Sequence, residues 1–365
     1  RLVVLEFPSL AAAEAFYRSD DYRPLLELRQ RSTRSDVALA EGYTPPAYTP
    51  QAPYQPPAAQ PQPQAPPPGY QPPPGYQQPP PGYQQPPPGY QPYGYPPPPG
   101  ATNVPGLEVA GVVAAAPADS GYVAGERVYA ASMIGGYADL VAVPISSVHR
   151  TPAELDDAQA VSLLVNYHTM YFAYWRRAGL QPGETVLVLG SAGGVGSAAI
   201  QVAKAMGARV IAAVHRSAAT EFVSSLGPDE VIPLTDGWAQ QVRDLTDGRG
   251  VDLVVDPIGG PAFDDALRVL ALDGRLLVIG FAAGGIPTVK VNRLLLRNIG
   301  VLGVGWGEYV RRDPATGTAV TAGLHELVAA GLRPPAPQRY PLSRAAEALA
   351  ALGDGAVFGK LVLEP

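Results

Sequence analysis

From residue 104 onward the sequence predicts a doubly wound α/β domain on a six-stranded parallel sheet, joined to two N-terminal segments of quite different character. Three observations carry that prediction. A continuous apolar run at 185–189 is followed by short strand-like segments at 208–214, 230–232, 251–255, 275–279 and 299–304, as expected of strands buried on both faces. Helical stretches alternate with them, the pattern that builds parallel sheets. The first crossover carries a glycine cluster, Gly190-Ser191-Ala192-Gly193-Gly194-Val195-Gly196, directly after an apolar run and directly before a helical stretch at 197–206.

The elements in chain order begin with residues 1–43, which read as strand, helix, strand. An apolar run at 2–7 is closed by Pro8, Ser9 stands as a helix N-cap before Ala11, Ala12, Ala13, Glu14 and Phe16, and 37–39 form a second strand. Two strands and one helix cannot bury a self-sufficient core, so this α+β half-domain requires a partner surface. Residues 44–103 follow as a Pro/Gly/Tyr/Gln-rich tether in which Pro-Pro-Pro-Gly-Tyr-Gln occurs four times, with Gly69, Gly75, Gly82 and Gly89 at the breaks. Proline fixes φ and removes a donor, favouring a semi-extended, disordered chain, and each glycine interrupts the rod. Glycine does not fall at every third position, which excludes collagen. The tract reads either as a spacer or as a ligand for aromatic-lined grooves on a protein partner.

The run at 185–189, the glycine turn, the helix and the run at 208–214 make one βαβ unit. Gly193 lets the backbone approach a pyrophosphate, Gly196 lets helix and strand pack tightly, and the helix N-terminus supplies free N–H groups and partial positive charge. At the end of the second run an NAD site would place a carboxylate against the ribose hydroxyls. Here the sequence is Ala213-Val214-His215-Arg216-Ser217, with no acid before Glu221. A guanidinium at Arg216 suits a 2′-phosphate, so NADP(H) is the expected cofactor. As a solvated loop cation, Arg216 would leave the cofactor choice open.

Composition removes other classes. A net charge of −6 gives no basic face for nucleic acid. With 0 cysteines there is no disulfide framework, thiolate zinc site or thiol nucleophile. His149, His168, His215 and His325 show no ligand spacing, so no metal is expected. No apolar run approaches the roughly 18 residues of a membrane span, and no basic-then-apolar export signal opens the sequence. A cytoplasmic location is expected.

Several motifs stand in a familiar order: "VPGLEVAGVV", "GGYADLVAVP", "LLVNYHTMYFAY", "VLGSAGGVGSAAIQVAKAMGARVIA", "VVDPIGG", "GRLLVIGFAAGGIP", "VNRLLLRNIGVLGVGWGEY" and "FGKLVLEP". In these, residues 104–365 resemble the zinc-independent medium-chain dehydrogenase/reductases of the quinone oxidoreductase, zeta-crystallin-like type. The resemblance implies a Rossmann domain at 166–305, a GroES-like β-barrel substrate domain at 104–165 that is truncated here, and a return to that domain at 306–365. It implies hydride transfer from NADPH to a quinone or another conjugated carbonyl without metal. It assigns Ser191, Ala192, Gly193, Gly194, Val195 and Gly196 to the pyrophosphate loop, and Arg216 and Ser217 to the adenosine end. Phe281, Ala282 and Ala283 fall on the nicotinamide side, with Asn166 and Thr169 as polar contacts beside the ring. Phe358, Gly359 and Lys360 match a closing loop, Lys360 being placed to meet a phosphate. Asn166 as a helix cap and Phe281 as core remain bland alternatives.

No side chain is assigned as proton donor, and Tyr137 is a loose candidate for polarising the acceptor. The resemblance also implies a homodimer formed by extending the sixth strand at 301–304. The family's opening barrel strands, which form one wall of the cleft, have no counterpart before residue 104. Instead, residues 1–43 resemble the C-terminal half of the ferredoxin-like DUF1330 family, whose members pair through their sheets. An enoyl-thioester reductase and a non-catalytic NADP-binding or scaffolding protein stand as alternative readings.

Overall fold

The computed structural model describes residues 104–132 and 134–365; the expected half-domain and tether lie outside the described residues. Three antiparallel strands come first, β1 (Glu108–Val112), β2 (Arg127–Ala131) and β3 (Val148–Arg150). A helical run follows, α1 (Asp157–Ala160) and α2 (His168–Phe172), the latter flanked by π-helical turns at Leu163–Tyr167 and Ala173–Ala178. Asp156 starts this run with a capping box, accepting from Gln159 N–H at 2.7 Å while the Gln159 side chain accepts from the Asp156 N–H.

The parallel sheet then builds as β4 (Thr185–Val188), α3 (Gly194–Ala205), β5 (Arg209–Val214), α4 (Thr220–Ser225), β6 (Glu230–Pro233) and α5 (Trp238–Asp244). It continues through β7 (Val251–Asp256), α6 (Ala262–Arg268), β8 (Leu270–Val278), α7 (Asn292–Arg297) and β9 (Gly300–Gly303). Its order is β6-β5-β4-β7-β8-β9, and all neighbours run parallel. The six strands expected from the sequence are all present.

Burial explains why these strands read as predominantly apolar. Val186 and Val188 of β4 face one core, with Val210, Ala212, Leu253, Val255 and α3; Leu187 faces the other, with Ile211, Val254, Trp238 and Phe263. Successive side chains point to opposite faces, and helices cover both, so both faces are apolar at the strand centres, while the charged strand residues Arg209, Glu230, Asp252 and Arg275 are only partly buried. Two boundaries differ from expectation. Helix α3 opens at Gly194 rather than 197, because Gly193 takes extended N-cap angles and puts the glycines into the first turn. Strand β8 opens at Leu270 rather than 275. Pairing with β7 jumps from Val251↔Leu270 to Leu253↔Arg275, and the residues between bend outward, leaving Leu272 exposed.

After the sheet come α8 (Trp306–Arg312), α9 (Pro314–Ala329), β10 (Gln338–Pro341), α10 (Ala345–Gly353) and β11 (Leu361–Glu364), with β11 parallel to β10. Asp313 caps α9, accepting from the Thr316 N–H and hydroxyl, and Pro314 occupies its first turn. Trp306 and Tyr309 close on Phe172, with ring centroids 5.2 and 4.8 Å away.

Three histidines far apart in sequence meet where the first sheet, α2 and α9 join. Tyr129 of β2 hydrogen-bonds His325 Nε2 at 2.9 Å; its ring lies 5.2 Å from His149 and 6.3 Å from His168. His168 meets His149 edge-on at 5.5 Å, and its Nε2 is 3.5 Å from the Thr321 hydroxyl. Burial holds all three histidines below the usual imidazole range, His149 at about 4, while Glu154 pulls against the shift of His325. Groups that stay neutral in the fold but protonate when unfolded bind more protons in the unfolded chain. Stability is therefore complete above the unfolded imidazole pKa and falls with pH toward about 4. The melting temperature should drop steadily between about pH 6.5 and 4.5, and His149→Gln should flatten part of that slope in pH-resolved calorimetry; an unchanged slope would count against the cluster.

Candidate nucleotide-binding site

The turn between β4 and α3 is built by close backbone contact. A Cβ on Gly196 would overlap Gly190 O and come within 2.7 Å of Ser191 Cα, so only glycine lets α3 enter directly behind the strand. Ser197 Oγ donates to Gly193 O at 2.7 Å and Ser191 Oγ to Val188 O at 2.8 Å. The fully buried Ser191 hydroxyl is thus committed to the strand end, and its part in the loop is structural. The first-turn amides of Gly194 and Val195 have no acceptor inside the helix, and no side chain caps them. Gly193 is exposed, and Ala192, Gly194 and Val195 are half-buried, so this end of the helix opens to solvent.

Two segments from elsewhere in the chain close on the turn. The π-helical turn before α2 brings Asn166 over it: the Asn166 amide nitrogen lies 2.6 Å from where a Gly194 Cβ would stand. The Asn166 side chain is no helix cap, and it has no hydrogen-bond partner among the described residues. From the C-terminal end, Gly359 N–H donates to Ala192 O at 2.8 Å, and Gly359 bridges Gly193 in strand-like fashion. Gly359 holds φ +68° against the Phe222 ring, a left-handed conformation that a side chain would strain. Phe358 stacks on Phe222, centroids 5.8 Å apart.

Asn166, Gly194, Val195, Gly359 and Lys360 consequently line one cleft of about 290 Å³, together with Tyr137, Ala348, Leu349, Leu352 and Leu361. Lys360 reaches this cleft already paired. Its ammonium forms an ion pair with Glu108 of β1, whose other oxygen accepts Val165 N–H at 2.9 Å. Glu108 thereby ties β1, the Asn166 turn and the closing loop together, a role the sequence reading left unassigned although Glu108 stands inside one of its quoted motifs. Phe222 was missed as well, since nothing local separates it from any helix aromatic.

Arg216 stands just past the end of β5. Its guanidinium packs against Gly355 and sits 5.9 Å over the Phe358 ring. Arg216 and Ser217 are exposed, and Arg216 has no carboxylate partner among the described residues. Phe281, Ala282 and Ala283 follow β8 and are exposed, Phe281 by 41%, so Phe281 is not core. Ala282 and Ala283 N–H donate to Pro257 O and Ile258 O at 3.2 and 3.0 Å. Pro257 and Ile258 in turn crowd Gly190, so this loop borders the turn without lining the cleft. Thr169 is buried on α2 beneath Asn166 and does not line it either. Three histidines converge, as described above, but among the described residues no group of three or more His, Asp or Glu is arranged to hold a metal ion.

Replacing Gly196 by Ala forces either the Gly190 carbonyl or the helix to move. Overpacking of this kind costs about 1–3 kcal/mol, so Gly196→Ala should lower the melting temperature by several degrees, and a variant melting like the parent would refute the contact.

Comparison with known proteins agrees with this geometry. A family profile described as "Zinc-binding dehydrogenase" matches residues 194–321, and one described as a domain of unknown function, DUF1330, matches residues 1–43. Quinone oxidoreductase-like protein 2 of Rattus norvegicus is 38% identical over 212 residues, covering 57% of this chain and 61% of its own length. The chain thus spans about three fifths of that relative. Its Bos taurus counterpart is 32% identical over 263 residues, 71% of this chain and 75% of its own. Among solved structures, a probable oxidoreductase from Mycobacterium abscessus is 58% identical with a TM-score of 0.67, over 72% of this chain and 80% of that one. A mycobacterial protein solved in complex with NADPH is 32% identical with a TM-score of 0.66, over 72% and 83% of the two chains. Among the described residues no helix is long and apolar enough to cross a membrane. On this identity and coverage, the chain belongs to the family of quinone oxidoreductase-like proteins, with a zinc-binding-dehydrogenase domain match over 194–321.

Proposed function

We propose that residues 104–365 bind NADP(H) and reduce a quinone or another conjugated carbonyl. One observation carries this reading: the open first turn of α3, the Asn166 amide and the Gly359 loop meet around one cleft, with Arg216 at the end of the neighbouring strand, and among the described residues neither Asn166 nor Arg216 has a side-chain hydrogen-bond partner. The residues fit the cofactor. Gly193 and Gly194 carry no side chain where a diphosphate would lie, and free helix-terminal amides favour an anion. Arg216 presents its donors to solvent beside Phe358, as recognition of an extra phosphate at the adenosine end requires. The solved relative with bound NADPH supports the same choice.

Bound NADPH would supply a hydride to an electrophilic carbon of the acceptor. The chain's own part is positioning. Gly359, held to Ala192, keeps the closing loop on the turn, and the Glu108–Lys360 pair fixes that loop to the first sheet. Asn166 offers an uncommitted amide beside the cleft. Tyr137, which lines the cleft, is the residue we assign to hold the acceptor's oxygen through its hydroxyl. The chain has 0 cysteines, so polarisation by a thiolate-held zinc is replaced by hydrogen bonding, and the acceptor must be electrophilic on its own. In this reading 104–165 and 306–365 form the acceptor side and 166–305 the cofactor side. Exposed Ile286, Val291, Leu295 and Leu296 beside the edge strand β9 support pairing of two copies there.

Arg216→Ala should weaken NADPH binding by about 1.5–3 kcal/mol, with little change for NADH, when both are titrated calorimetrically. Equal losses would remove the phosphate role. In turnover assays, NADPH oxidation should follow a simple quinone in preference to an enoyl thioester. The reverse preference would make the chain a thioester reductase, and binding without turnover of either would leave a nucleotide-binding scaffold.

A further inference from the structure

Helix α10 ends at Gly353, and the chain turns through Asp354 and Gly355 toward the closing loop. Gly355 holds φ +65°, and its N–H donates to Leu352 O at 3.0 Å, so a left-handed residue stops the helix. That duty alone would accept asparagine as well as glycine. What Gly355 faces is more restrictive. A Cβ there would stand 2.6 Å from Arg216 Nη1, 2.7 Å from Nη2 and 2.9 Å from Cζ, closer than van der Waals contact allows. The guanidinium of Arg216 therefore rests on the bare backbone of residue 355.

A second group supports the same guanidinium. Arg216 Cζ lies 5.9 Å from the centroid of the Phe358 ring, within the range of a cation–π contact, and Phe358 is itself stacked on Phe222 of α4. An exposed arginine without such support carries about 2 kcal/mol of rotamer entropy, part of which is lost whenever it clamps an anion. Contact with Gly355 and Phe358 narrows that freedom in advance. It takes no donor away, since none of the N–H groups of Arg216 is bonded to another described residue.

We infer that Gly355 is a positioning residue for the 2′-phosphate of NADPH: its missing side chain seats Arg216 at the end of β5 and so sets the preference for the phosphorylated coenzyme. The inference rests on the reading of Arg216 as the phosphate ligand, and adds a determinant that lies far from it in sequence. The group that a Cβ would displace is the free end of a long side chain. The fold therefore loses little by the displacement, and the loss falls on the phosphate.

Calorimetric titration of the full chain with NADPH and with NADH tests this on Gly355→Asn, which can hold the left-handed turn but brings the displacing Cβ. NADPH binding should weaken about tenfold, the worth of one charge-assisted hydrogen bond, with NADH unchanged and the melting temperature close to the parent's. Gly355→Ala, which carries the Cβ alone, should act in the same direction. Gly353→Ala, where an added Cβ meets nothing within 4 Å, should leave both affinities as they are. In an Arg216→Ala background Gly355→Asn should weaken neither coenzyme further, because its effect runs through the guanidinium. Equal weakening of both coenzymes, no change in NADPH, or the same NADPH loss with and without Arg216 would overturn the inference. If Arg216→Ala alone leaves the coenzyme preference intact, the phosphate reading falls and the role of Gly355 falls with it. A selective loss in Arg216→Ala that Gly355→Asn does not reproduce removes the role of Gly355 and leaves that reading standing.

Discussion

The contact of Gly196 with the backbone of Gly190 and Ser191 fixes the rest of this molecule. It holds the start of α3 directly behind the end of β4, where the carboxyl ends of parallel strands open a crevice. From there the placement of the other groups follows. With α3 so close, its first-turn amides point into the crevice; Asn166 reaches them from the preceding helical turn, and Gly359 reaches the Ala192 carbonyl from more than 160 residues away in sequence. A side chain at 196 would push the helix off and separate all three. The dependence runs one way, because removing Asn166 or Gly359 leaves the turn in place.

Charge is arranged around that turn with two cations in different states. Lys360 is half-buried and neutralised by Glu108, whereas Arg216 is exposed and unpaired among the described residues. A buried ammonium without a counter-ion would be expensive, so the carboxylate lets the closing loop carry a lysine in the wall of the cleft. A phosphate seeking Lys360 would have to compete with the Glu108 carboxylate, which is itself held in place by the Val165 N–H. Arg216 faces no such competitor. In the proposed function, discrimination between phosphorylated and unphosphorylated ribose would therefore rest on the exposed strand end rather than on the closing loop.

Much of the fold was legible because both faces of the parallel sheet are covered, which makes its strands predominantly apolar. The glycine turn was legible for a related reason: spacing in sequence is spacing in space across one tight crossover. Legibility failed where contacts are long-range or where turn chemistry misleads. Asp273 and Gly274 look like the stop before a strand, yet β8 continues through them by an outward bend. His149, His168 and His325 show no motif because β3, α2 and α9 bring them together only in the folded chain. Glu108 was quoted within a motif but not interpreted, since its partners Lys360 and Val165 lie 252 and 57 residues away. Ser191 was read as a phosphate group contact from its position, and only the geometry shows its hydroxyl turned back to Val188.

The two halves of the described chain differ in how far they satisfy themselves. The parallel sheet has six strands, helices on both faces and two large apolar cores beside it. The acceptor side is made of a three-stranded and a two-stranded sheet, the former with a small core of five buried residues. The Glu108–Lys360 pair ties the first small sheet to the closing loop, while Tyr129, Ala110 and Ala131 pack into one of the large cores, and the Tyr129–His325 and Gly359–Ala192 bonds add specific contacts. Local stability follows the density of buried contacts, so the acceptor side should open before the nucleotide side does.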